Sequence, residues 1–201
     1  VHGFEVHSSL APYGVSAIHE GVRLIHWANE QNEANARATP SELAAPFDPP
    51  YSTLHVGVIS GGTAHNITAK DCEFLLSVRA VPGDSGWDGK MLAAAAAIEK
   101  TMQAVKPETS IEMKPVFGVP PLSPENGGPA EVLSRRLTGD NGTHVVSYGT
   151  EGGQFQTRGY SVVVCGPGDI AQAHQPDEFL TLEQFAAGQS FMERLIDDLT
   201  Q

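Results

Sequence analysis

Basic residues are scarce in this chain: 12 Lys and Arg stand against 24 Asp and Glu, for a formal net charge of -12. No run of Lys or Arg occurs anywhere. A phosphate backbone or an anionic membrane surface is therefore repelled, and neither nucleic acid nor a membrane is expected as a partner. No apolar run approaches the roughly 18 to 20 residues that cross a bilayer. Cysteine is nearly missing. Cys72 and Cys165 sit far apart in apolar, strand-like runs, the pattern of buried thiols in a reducing compartment, so a cytoplasmic location is expected. Val1-His2-Gly3 is neither an initiator Met nor a basic signal-peptide start, and the sequence reads as a piece excised from something longer. There is no internal repeat and no low-complexity segment.

What is present falls into an ordered series of elements. Gly3 to His7 alternates like a short strand, and Ser8 to Gly14 is a turn. Ile18, Val22 and Ile25 recur at helical spacing, widened by Leu24 and Ala28, and predict an amphipathic helix over 15–30. A polar, proline-containing loop follows to Tyr51. Leu54, Val56 and Val58 then alternate as a strand until Gly61-Gly62. Cys72, Phe74, Leu76 and Val78 alternate as another, which turns Glu73, Leu75, Ser77 and Arg79 to its opposite face. A second helix is expected over 88–105, and Ile111 to Pro115 suggests a final strand. The order βαββαβ is the ferredoxin-like arrangement, with both helices on one sheet face and the other face free. After Val116 a Pro- and Gly-rich stretch marks a boundary, giving domains 1–117 and 118–201. The second is expected to hold a short helix over 130–137, strands over 143–148 and 161–165, and a last helix opened by a capping box of Thr181 and Gln184. Overall the fold class is α/β or α+β, and the second domain has too few strands to close a sheet of its own.

Several residues could carry chemistry, and each has a plain alternative. His174, with Asp177 and Glu178, lies in a loop after an apolar strand, where α/β sheets place their sites; a surface turn is the other reading. His7 at a strand end could equally be an exposed or capping residue. Asn66 could be a turn residue. Arg79 could be a two-pronged binder of a substrate carboxylate, or a simple ion-pair partner for Glu73. Thr150-Glu151-Gly152-Gly153 reads as a tight turn into a helix, able to hold an anion on its backbone N–H groups.

Taken in order, Gly3-X-X-X-His7-Ser8-Ser9, Gly61-Gly62-Thr63-Ala64-His65-Asn66-Ile67 with Arg79, Tyr148-Gly149-Thr150-Glu151-Gly152-Gly153, Cys165-Gly166-Pro167-Gly168 and His174-Gln175-Pro176-Asp177-Glu178 resemble the acetylornithine deacetylase family of zinc-dependent aminoacylases and carboxypeptidases. The resemblance spans essentially the whole chain. It implies a ferredoxin-like lid that forms a homodimer, followed by the C-terminal strands and helix of a catalytic domain with two zinc ions. It makes His174 a zinc ligand and Glu178 the acidic residue that orients it. His7 becomes an oxyanion donor to the partner subunit's site, Asn66 and Arg79 substrate binders with Arg79 on the carboxylate, and Thr150 and Glu151 part of a substrate-side loop. The implied substrate is an N-acyl amino acid, foremost N-acetylornithine on the route to arginine. One departure is Thr68-Ala69, where many relatives carry Pro. The family's remaining metal ligands and its general base belong to an N-terminal half that this sequence does not contain, so the chain alone is expected to be inactive. A related aminoacylase, desuccinylase or carboxypeptidase, or a non-catalytic dimerisation or small-molecule-binding module, is the alternative.

Overall fold

The computed structural model describes residues 1–200, which form two compact units meeting in sequence at Gly118 and Val119.

In the first unit a 3-10 turn, Ser8–Tyr13, leads into helix α1, Ala17–Arg37. Strands β1, Thr53–Gly61, and β2, Cys72–Arg79, pair antiparallel, and helix α2 spans Trp87–Val105. Helix α1 buries Ala17, Gly21, Leu24 and Ala28, one stripe at 3.6-residue spacing. Gly21 sets the depth of this packing: an added Cβ would lie 3.2 Å from the Phe74 ring and 3.3 Å from Cys72 Sγ. The helix outruns the end expected at Glu30 because polar side chains hold its last turns. Asn32 exchanges two hydrogen bonds with the backbone of Leu54, at 2.7 and 2.8 Å, and Asn35 donates to Ser52 O at 2.8 Å. Apolar periodicity carries no trace of such anchors.

Strand β2 alternates as expected, with Cys72, Phe74, Leu76 and Val78 inward and Glu73, Leu75, Ser77 and Arg79 exposed. Strand β1 does not. The register steps from Val56↔Leu76 to Val58↔Leu75, leaving Gly57 as a bulge. A bulge reverses the faces beyond it. Val58, expected in the apolar row, is therefore 61% exposed opposite Leu75.

The outer strands of the βαββαβ order shrink to isolated bridges. His2 bridges both Asp71 and Ser110, Phe4 bridges Val15, and His7 bridges Ile67. Residues 3–7 make no continuous ladder because their neighbours change. Gly3 N–H donates to Lys70 O at 2.6 Å and Phe4 N–H to Val15 O at 2.7 Å, whereas Val6 N–H donates to the Thr68 hydroxyl at 2.9 Å. The Thr68 hydroxyl in turn donates to Phe4 O at 2.8 Å, and its own N–H donates to Val6 O at 2.9 Å. A Pro at this position could make neither bond. The segment 111–115 likewise forms no strand; beyond Ser110 its backbone has no ladder partner. Even so, the chain order across the sheet, β1, β2, the N-terminal segment and then Ser110, is that of a ferredoxin-like fold. Val15, Leu24, Ala95, Ile98 and Met102 form its main core, with Ala28, Leu54 and Trp87 closing one flank.

The second unit contains helices α3, Pro129–Thr138, α4, Gly152–Thr157, and α5, Leu182–Leu199. Helix α5 opens as expected, the Thr181 side chain accepting from Gln184 N–H at 3.1 Å. Arg194 of α5 donates to Leu137 O at 2.8 Å, at the end of α3. The strands expected over 143–148 and 161–165 are absent, since an apolar segment becomes a strand only beside a pairing neighbour and neither has one among the described residues. Cys165, expected to be buried, is consequently exposed; Cys72 is buried, and both are free. The apolar face of α5 is also uncovered, with Leu182 at 87% and Leu199 at 74% exposure. Among the described residues no helix is long and apolar enough to cross a membrane.

Candidate functional site

Two of the singled-out residues of the first unit come together. Ser8 N–H donates to Asn66 O at 2.8 Å and His7 bridges Ile67, so the segments carrying His7 and Asn66 run side by side. Both side chains are exposed. His7 also caps the 3-10 turn, its Nδ1 accepting from Ser9 N–H at 3.2 Å. Arg79 lies elsewhere. It closes β2 at the end opposite Cys72, and the strand's eight residues cover about 23 Å at roughly 3.3 Å per step. It is exposed and forms no ion pair with Glu73 among the described residues.

In the second unit, His174 sits in a loop held by its own carboxylate: His174 N–H donates to Glu178 Oε2 at 2.9 Å. Glu178 thus fixes the backbone of His174 and leaves the imidazole free of hydrogen bonds among the described residues. His174 and Asp177 both adopt φ 59°, and they are the only non-glycine residues with positive φ among those described. Such left-handed geometry is uncommon outside glycine and concentrates where a loop is held for a purpose. Thr150 and Glu151 lead into α4, the Thr150 hydroxyl accepting from Gly152 N–H at 3.1 Å. Gly153 permits the turn, because a Cβ there would run into the Pro120 carbonyl.

Among the described residues no three of His, Cys, Asp and Glu gather to take a metal ion, and a zinc site needs three or four such ligands. His174 is one ligand at most.

Nothing in the sequence marks Glu125, one carboxylate in a Pro- and Gly-rich stretch. In the structure it accepts from the Ser161 hydroxyl, from Val162 N–H at 3.0 Å and from Gln156 Nε2 at 3.2 Å, tying three segments of the second unit. These donors, the Ser161 hydroxyl first, hold its carboxyl below the ordinary range. A carboxylate whose pKa falls on folding stabilises above its unfolded pKa, and that stabilisation is lost as pH drops through the folded value. Glu125→Gln replaces an acceptor oxygen with an NH2 group among donors. Weaker protection from hydrogen exchange, relative to the intrinsic rate at each pH, is expected at Val162 and Ala130 in the variant at neutral pH, and in the parent as pH falls below the ordinary carboxylate range. Unchanged exchange at both amides in the variant would leave Glu125 without this role.

Comparison with known proteins places the chain. Residues 1–106 match the M20 peptidase dimerisation domain. The chain belongs to that family. An acetylornithine deacetylase of Myxococcus xanthus is 28% identical over 205 residues, covering 98% of this chain and 50% of that protein. One of Yersinia pseudotuberculosis is 31% identical over 203 residues, covering 100% and 50%. Among solved structures, the aminopeptidase PepT of Bacillus cereus aligns over 100% of this M20 chain and 50% of its own, with TM-score 0.59 and 18% identity. A tripeptidase of Staphylococcus aureus aligns over 95% and 47%, with TM-score 0.65 and 19% identity. The structural likenesses speak for the fold. This M20 chain spans about half the length of the curated relatives it matches, and those relatives are hydrolases by name.

Proposed function

We propose that this chain is the second half of a metal-dependent deacylase that releases an amino acid from its N-acyl derivative, with N-acetylornithine, cleaved to ornithine and acetate, as the leading substrate. The observation that carries this reading is end-to-end similarity: acetylornithine deacetylases align over 98 to 100% of the chain, well beyond the dimerisation domain itself. The uncovered apolar face of α5 supports it, since large exposed apolar surfaces mark contact sites. The N-terminal half of the complete protein would supply that contact. It would also supply the other ligands for two zinc ions, His174 contributing one.

Each residue then has a task. Arg79 grips the substrate carboxylate with its planar fork. Asn66 steadies the substrate, and the Thr150 and Glu151 loop borders it. His7 donates a hydrogen bond to the oxygen that gains charge as the acyl carbonyl is attacked. The length of β2 bears on how these meet: about 23 Å is longer than an N-acyl amino acid. Arg79 sits at the end of β2 opposite Cys72, and this placement, away from the loop that carries Asn66, favours a composite site built by a two-fold homodimer.

Assay of the full-length protein against N-acetylornithine and other N-acyl amino acids tests the reading, and absence of turnover with all of them would sink it. Within it, Arg79→Lys should lower kcat/KM by about tenfold or more, because an ammonium cannot reproduce two parallel contacts. A change within about twofold would return Arg79 to a structural part.

A further inference from the structure

The His7 ring is held by the residue two positions on. The Ser9 backbone N–H donates to His7 Nδ1 at 3.2 Å, and the Ser9 hydroxyl lies 2.8 Å from the same nitrogen. A hydroxyl can donate or accept, but a backbone N–H can only donate. Nδ1 must therefore present its lone pair, and in the neutral ring the single proton then sits on Nε2. Meanwhile the His7 backbone is pinned by its bridge to Ile67. With main chain and Nδ1 both engaged, Nε2–H is the end left over, on an exposed side chain with no partner there among the described residues.

We infer that Ser9 is a positioning residue for His7, holding the imidazole as the Nε2–H tautomer and making His7 a hydrogen-bond donor rather than a proton acceptor. The inference rests on the reading of His7 as an oxyanion donor and adds the means by which it becomes one. The other neutral tautomer would turn a lone pair toward the developing negative oxygen and repel it. A donor already aimed at that oxygen needs no reorganisation during the reaction. The arrangement also explains a short stretch of sequence: a His two residues ahead of a turn amide can cap the turn and orient its own ring with one bond.

Long-range 1H–15N spectra of the 201-residue chain, with the His7 signals assigned by loss in His7→Ala, read the tautomer directly. The parent should show His7 protonated on Nε2. Ser9→Pro, which deletes the obligatory donor, should bring up the Nδ1–H form, and Ser9→Ala, which keeps the N–H, should not. In the full-length protein, Ser9→Pro should lower kcat about tenfold with little change in KM, and Ser9→Ala, the safer variant for folding, about threefold. Added to His7→Ala, either substitution should have no further effect, as expected of a residue acting only through the ring. An Nδ1–H ring in the parent, or Ser9 effects that multiply those of His7→Ala, would overturn the inference while leaving the functional reading in place. Unchanged turnover in His7→Ala would overturn both this inference and the reading of His7 as an oxyanion donor.

Discussion

Mixing full-length His7→Ala subunits with His174→Ala subunits is expected to restore about a quarter of wild-type activity from two nearly dead parents. Loss of an oxyanion donor lowers kcat by roughly 10²–10³-fold, and loss of a zinc ligand removes the metal site. Random exchange at equal amounts makes half of all dimers mixed. In each mixed dimer one site takes His174 from the first subunit and His7 from the second, so it is whole, and the other lacks both. Half of the dimers with half of their sites intact gives the quarter. A pull-down with differently tagged subunits confirms exchange beforehand. Mixed dimers that form and stay as inactive as the parents would show that His7 does not serve the partner's site.

A large loss of stability is expected from Gly3→Ala, about 3 kcal/mol. Three main-chain atoms crowd the space that a Cβ would take. An added Cβ would run into the Val15 carbonyl and lie 2.7 Å from both Ala17 N and Ala69 O. None of these atoms can swing away as a side-chain tip could, and all three belong to the hydrogen-bonded crossing that seats the N-terminal segment, where Ala17 N–H donates to Ala69 O at 2.8 Å. Gly118→Ala is the matched control, since nothing lies within 4 Å of its added Cβ, and it should stay within about 0.5 kcal/mol of the parent. Urea unfolding of both variants decides the matter: equal midpoints would show that the close approach at Gly3 relaxes freely.

Elements with strong periodicity could be read from the sequence nearly to their ends. The stripe of α1, the alternation of β2, the span of α2 and the capping of α5 by Thr181 all depend on residues close in the chain, and local pattern records them. The misses share another cause. The bulge at Gly57, the extension of α1 through Asn32 and Asn35, and the breakup of residues 3–7 each depend on which distant backbone lies alongside. The missing strands of the second unit have the same origin, for a sequence shows that a segment suits a strand without showing its neighbour. At the candidate site, residue types and order were legible, and so was capping as one alternative for His7. That His7 lies beside Asn66 while Arg79 closes the far end of β2, that Glu178 holds the backbone of His174, and that Glu125 knits three segments are properties of the folded backbone that residue pattern does not record.

The two flanks of the first sheet are unlike, and this limits how many copies can join side by side. Lateral growth into a filament requires an open strand at each flank, so that every added copy leaves a new place for the next. Here one flank is β1, nine residues long, and the other ends in the bridge of Ser110 to His2. A second copy can lay its own β1 against the first, antiparallel about a two-fold axis, and the step at Gly57 allows few alignments. Both long flanks are then used up. If copies pair in this way, a third would find only bridge-length edges among the described residues, and growth by this route would stop at two.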